Sequence, residues 1–291
     1  MKTEITEFNK YSTYKKMAEA THKNYSFYIS NYLKWLKTRK KAFKDTSHTE
    51  IIDFLAFKDK NTNRPLTQNT SNLIKASLRT LYVANNKPEI AGQIHGKKVD
   101  ERIPEVLSLD AIKIVIEGSQ FFYKTDWKNE RGYFFITLLY QTGARIGEMA
   151  KLKRADFDFD NNTVKVGSKG KEYLRKLDQL WLKSFKKWLN ENNLRKEVFV
   201  SDLTTKRQWS KRTAQWFISM LCWRKLKKSY SAHRFRASCI THRLNAGEEF
   251  FSVSSNFHKN IQTTKRYMGA SSRSLDKMIN PYASLLKKKG V

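Results

Sequence analysis

Cysteine is almost absent from this chain. Its two residues, Cys222 and Cys239, cannot make a disulfide framework. Neither sits in a CxxC pair, so they do not outline a zinc site, and two reduced thiols in an intracellular protein is the plain reading. Proline and glycine are scarce, 4 and 11 in 291 residues. That excludes elaborate turn-rich structure and favours long helices. No apolar run approaches the ~18 residues of a membrane span, and the N-terminus, Met1 to Glu7, is charged and has no apolar signal core. A cytoplasmic protein working without a membrane is expected. Acidic residues are also few, 27 against 57 Lys and Arg.

What is present is charge and aromatic bulk. The formal net charge is +30 and the isoelectric point near 10. A folded protein this basic repels itself unless a polyanion neutralises it. Nucleic acid is the first candidate and an anionic membrane the second; a merely lysine-rich protein is the third. Hydrophobic residues make up 40%, with 7 Trp, 13 Tyr and 18 Phe, enough for a packed core rather than a disordered basic tail.

Helical spacing dominates the first hundred residues. Thr21 can cap a helix in which Tyr25, Tyr28, Ile29, Tyr32, Leu33 and Leu36 form one stripe, with most lysines outside it. Such a tyrosine-rich stripe reads as core before it reads as a base-stacking platform. Ser47 and Glu50 have capping-box spacing ahead of Ile51 and Phe54. Thr67 or Thr70 starts a third helix with Leu73, Ile74, Leu78, Leu81 and Tyr82 on its apolar side. From Lys87 to Pro104 the pattern lapses into a polar, basic stretch. The resulting division is an N-terminal helical domain over residues 1–92, a basic linker over 93–106 and a second domain over 107–291, with a tail from about 271.

In the second domain Ser108 is the expected N-cap of a helix that Gly118 ends. Residues 131–140 form a strongly apolar helix, broken at Gln141-Thr142-Gly143, and Arg145 opens a new one. Residues 156–166 alternate and turn at Asn161-Asn162; a second turn at residues 168–171 leads into a third strand from Tyr173. Helices follow from Leu180, over 210–223, over 231–246 and over 260–267. The fold class is therefore mainly α with a small antiparallel β-sheet.

Several residues in this domain have chemical potential. Arg145 follows a Thr-Gly break at a helix start, where a planar guanidinium can hold two phosphate oxygens; it can equally pair with Glu148. His233 and Arg236 share a helix face, placing a proton-transfer group beside an anion clamp. Lys169 occupies a turn from which it can reach a leaving oxygen; Lys171 competes on position. Tyr267 stands nine residues after His258, and Thr263 or Thr264 can begin its helix. A phenol becomes a nucleophile at neutral pH only if cations or a base assist it, and two arginines and a histidine supply that setting. Each of these has an ordinary structural reading when taken singly.

Their order and spacing together resemble the tyrosine recombinase family of phage-type integrases and Xer-like recombinases. Thr142-Gly-Ala-Arg145-Ile-Gly-Glu148-Met is similar to its first arginine box. Ser168-Lys169-Gly-Lys-Glu resembles its hairpin lysine segment, His233-Arg-Phe-Arg236 its H-x-x-R box, and His258 to Tyr267 its final box. The sequence departs from the family where Asn256-Phe257 replaces Leu-Gly, Ala237 replaces a histidine and Tyr173 a hairpin arginine. The resemblance implies two domains, a helical core-binding one and an α+β catalytic one, that clamp double-stranded DNA. It implies a dimer on a site, a tetramer in synapsis and a C-terminal tail that packs on a neighbouring protomer or on its own domain. It also implies a catalytic set of Arg145, Lys169, His233, Arg236, His258 and the nucleophile Tyr267, with no cofactor and no metal. The alternatives are a type IB topoisomerase-like enzyme, an inactive DNA-binding relative and a basic RNA-binding protein.

Overall fold

The computed structural model describes residues 2–60, 65–99, 104–168, 171–257 and 261–268. It divides into two compact units, Met1–Asp100 and Glu101–Val291. Among the described residues no helix is long and apolar enough to cross a membrane.

The first unit is helical: α1 (Lys2–Tyr14), α2 (Glu19–Thr38), α3 (His48–Lys60), α4 (Gln68–Ala84) and α5 (Pro88–Gln93). The periodic stripe of α2 faces inward, burying Ile29, Tyr32, Leu33, Trp35 and Leu36 against Ile74, Leu78, Leu81 and Tyr82 of α4. The two buried tyrosine hydroxyls satisfy each other at 2.6 Å, and Tyr82 donates onward to Thr46 at 2.8 Å. Buried polar atoms require such partners, so these rings belong to the core. Ser47 and Glu50 form the expected box: the Ser47 N–H donates to the Glu50 carboxylate at 2.7 Å. Thr67 caps α4, accepting from Thr70 N at 3.2 Å.

Two expectations for this unit change, and one helix is new. The second helix begins at Glu19, ahead of Thr21, whose own N–H donates to Ala18 O; Glu19 there suits the helix dipole. Helix α1 carries only a thin apolar face around the fully buried Phe8, too little for periodicity to show. The expected irregular stretch is helical over Pro88–Gln93. Pro88 needs no N–H in a first turn, and Ile90, Ala91 and Ile94 are buried against the same core. Asn72 bonds both backbone groups of Lys97, so the chain stays tied to this unit beyond α5.

The second unit holds α6 (Leu109–Ser119), α7 (Asp126–Thr142), α8 (Ile146–Met149), β1 (Phe157–Asp158), β2 (Thr163–Ser168), β3 (Lys171–Lys176), α9 (Gln179–Glu191), α10 (Lys211–Leu226), α11 (Ala232–Ala246), α12 (Phe250–Phe257) and α13 (Ile261–Met268). The strands form an antiparallel sheet in the order β1-β2-β3. Helix α7 is the axis of the core, with Phe134, Phe135, Ile136, Leu138 and Leu139 all buried. It packs against α6 and α11, and the rings of Trp181, Phe185 and Trp188 surround Phe134. Ser108 caps α6 as expected, accepting from Ala111 N at 3.1 Å.

Gly118 does not end α6; it lies inside the helix, where the Lys225 stem of α10 crosses so closely that a Cβ would meet it at 2.5 Å. Helix α9 begins at Gln179 behind the Asp178 cap, and Leu180 faces solvent while Trp181 is buried. Helix α12 is an element that periodicity did not suggest. Its serines are weak helix formers, and the Glu249 carboxylate holds its first N–H groups. Helix α13 is already formed at Ile261, so Thr263 and Thr264 lie within it.

Candidate active site

The site grows from a break in α7. Gly143 adopts φ +56° and ends the helix, a left-handed conformation that glycine takes without strain. The chain turns, and Arg145 becomes the residue before α8. Glu148 fixes this corner. Its buried carboxylate accepts the Arg145 N–H at 2.8 Å and Nη1 at 3.0 Å. The ion-pair reading of Arg145 therefore holds, and it serves an exposed guanidinium: the Arg145 side chain is 53% exposed and that of Glu148 only 6%. A carboxylate beneath and solvent above leave the outer edge of the arginine open to an anion.

Helix α11 supplies the opposite wall. His233 and Arg236 project together, as their spacing requires, and both line one open cleft of about 820 Å³ with Arg145. Lys151, Gly167, Lys211 and Gln215 contribute to the same cleft. Arg236 is buried at 4% exposure. Its Nη1 donates to Gly143 O at 2.5 Å and its Nη2 to Phe257 O. The guanidinium has more N–H groups than these bonds use, so it can still meet an anion in the cleft. Burial first, and then the charge of Arg145, lowers its pKa. His233 keeps an exposed edge, yet partial desolvation and the charges of Arg236, Arg234 and Arg145 push its pKa below the usual histidine value. An imidazole held neutral in this way can accept a proton.

Tyr267 sits on α13, which packs against α11 and α12. It is 3% exposed, in an apolar cluster with Ala237, Cys239, Ile240, Val253 and Phe257. It interacts electrostatically with Arg236, which joins this cluster to the cleft. Four of the six expected residues, Arg145, His233, Arg236 and Tyr267, therefore gather around one corner of the unit. Lys169 and His258 lie outside the described residues. Sequence reasoning missed Arg175, a buried cation on the inner face of β3. Alternation put it on one strand face with Tyr173 and Leu177 but did not say that this face is the inner one. It also missed Lys151 and Lys211, hidden among many lysines.

The profile of the phage integrase family matches residues 120–273, which cover this corner from α7 to α13. The chain belongs to the phage integrase family. It is a tyrosine recombinase, an enzyme of site-specific recombination that cleaves and rejoins DNA by transesterification. A second profile, the family's N-terminal SAM-like domain, matches residues 5–89, the helices α1 to α5. Among curated relatives, the tyrosine recombinase XerA of Thermococcus kodakarensis is 24% identical over 269 residues, spanning 90% of this chain and 89% of its own. XerD of Oceanobacillus iheyensis is 26% identical, spanning 91% and 93%. Among solved structures, XerH bound to a palindromic difH substrate in a post-cleavage complex superposes with a TM-score of 0.72 at 17% identity, covering 88% of this chain and 78% of that one. The integrase fold is thus present in both units.

Proposed function

We propose that Tyr267 is the nucleophile of this recombinase. Its hydroxyl attacks a scissile DNA phosphate, forming a 3′-phosphotyrosyl bond and releasing a 5′-hydroxyl. Arg145 and Arg236 bind the non-bridging oxygens, where charge grows in the pentavalent transition state. His233 accepts the tyrosine proton. Lys169 protonates the leaving 5′ oxygen, and His258 donates a hydrogen bond to the phosphate. A 5′-hydroxyl from the partner strand then reverses the chemistry. Bond energy stays in the covalent link, so neither metal nor nucleotide is required. Residues 1–92 with the packed start of the basic segment 93–106 form the core-binding domain, the rest of that segment links it onward, and 107–291 form the catalytic domain. Double-stranded DNA is the substrate, bound by a dimer at each site and a tetramer in synapsis. The setting is cytoplasmic.

The observation that carries this reading is the shared cleft of Arg145, His233 and Arg236, with Tyr267 buried in the cluster of Phe257, whose carbonyl holds Arg236. The test is covalent capture. Nicked duplexes of randomised sequence are incubated with the full chain without metal, and denaturant-resistant adducts are recovered and sequenced. Wild-type protein is expected to yield adducts of shared sequence. Tyr267→Phe is expected to yield none while still retarding the selected duplex. Adducts that persist in Tyr267→Phe would assign the nucleophile elsewhere.

A further inference from the structure

Arg175 makes more contacts than the strand around it requires. From β3 its Nε donates to Thr142 O at 3.2 Å, at the end of α7. Its Nη1 donates to the side-chain oxygen of Asn256 at 3.3 Å and its Nη2 to the Asn256 carbonyl, at the end of α12. The guanidinium lies 4.4 Å from the centre of the Phe257 ring. That ring also has Arg236 at 5.4 Å and Arg243 at 5.8 Å. Its edge presses on Gly143, where a Cβ would come within 2.6 Å.

Such a placement is a weak source of stability. Burial, reinforced by the charges of Arg236 and Arg243, lowers the Arg175 pKa to about 10. Arg175 stands directly opposite Val164 in the sheet, where an apolar side chain would fill the space without a desolvated charge. What arginine alone supplies is a rigid fork joining two chain ends. Those ends carry the two carbonyls that hold Arg236, Gly143 O and Phe257 O. The Gly143 end also leads directly into Arg145.

We propose that Arg175 and Phe257 form a clasp that fixes the orientation of Arg236 and the course of the Gly143–Arg145 turn, so that both guanidiniums meet one phosphate. They are positioning residues: neither lines the cleft, and they act through Arg236 and Arg145. The inference rests on the reading of those two arginines as the phosphate clamp.

The test uses the duplex captured by wild-type protein, with cleavage rate at saturating DNA, affinity and melting measured on the full chain. Arg175→Met and Phe257→Leu are each expected to slow cleavage by roughly 10- to 100-fold, the range that a small misplacement produces. Affinity should change by less than about threefold, because most phosphate contacts lie elsewhere. The double variant should be no slower than the slower single one, since one clasp is broken only once. Arg175→Lys keeps a cation near the ring but loses the fork; it should fold and cleave slowly. Wild-type rates in the folded single variants, or in Arg175→Lys, would overturn the clasp. So would losses that multiply in the double variant, or that track lost melting temperature or affinity. Absence of any adduct from wild-type protein would instead overturn the phosphate-clamp reading, and the clasp with it.

Discussion

At the scale of single residues, the cleft is a competition between burial and charge. Arg145, Arg234 and Arg236 stand close enough to His233 to act on its titration. Nearby cations disfavour a further positive charge, and so does desolvation. The sign follows directly. With the folded pKa depressed, the unfolded chain binds the proton more readily, so the neutral state contributes stability that is present in full above about pH 6.5 and lost as pH falls from there through the lower folded pKa. The same depression sets the reaction. The second-order rate constant for adduct formation should fall on acidification with an apparent midpoint below about 6.5, the ordinary histidine value. His233→Gln should lower the rate throughout and flatten that limb. An unchanged acid limb in His233→Gln would assign the titrating base to another group. Tyr267 teaches the complementary lesson. Its sequence position gave a candidate nucleophile, but its burial beside Phe257 follows from the apposition of α11, α12 and α13.

At the scale of elements, the local signals that proved legible were those with a local cause. The caps at Ser47, Thr67 and Ser108 form because side chain and N–H lie three residues apart, whatever the rest of the chain does. Glu50 shows how much such a cap can carry. Burial opposes its ionisation, but the Lys41 ammonium and the Ser47 N–H and hydroxyl outweigh it and hold its pKa at about 2. With the folded pKa depressed, its contribution is full above about pH 4.5 and is lost between there and about 2. Glu50→Ala should destabilise the protein by about 1–2 kcal/mol and lower the melting temperature of the first unit, read by calorimetry at neutral pH. That difference should shrink toward pH 2. The inward face of β3 was less legible. Strand alternation alone does not say which set of side chains faces the core. Pairing with β2 turns Arg175 inward with Val164 and leaves Leu174 68% exposed. Hydrophobicity would have assigned the two the other way.

At the scale of the whole molecule, the excess of positive charge dominates. A net charge of +30 suits a partner whose binding displaces counterions. Affinity for the captured duplex should drop steeply with salt. A protein contacting about six to ten phosphates loses roughly 10³- to 10⁵-fold between about 50 and 200 mM. A nearly flat salt dependence in a mobility or anisotropy titration would argue against an extended phosphate interface. A plasmid assay separates two alternatives. A topoisomerase-like enzyme would relax any supercoiled plasmid, whereas a site-specific recombinase should act only on plasmids carrying the captured sequence.

The sequence by itself determined the class of the fold, the basic character and the order of the chemical groups. Helical periodicity, capping pairs and charge are local or additive properties, and the spacing of Arg145, His233, Arg236 and Tyr267 is written directly in the chain. Tertiary structure decided what those groups face. It placed Glu148 beneath Arg145, tied Arg236 to two carbonyls from distant segments and turned Arg175 onto Phe257. These contacts join residues 80 or more positions apart in some cases, such as Arg175 with Asn256 and Arg236 with Gly143. No local rule reaches that far, because the energy of a buried charge depends on which carbonyls and rings surround it after the chain has closed.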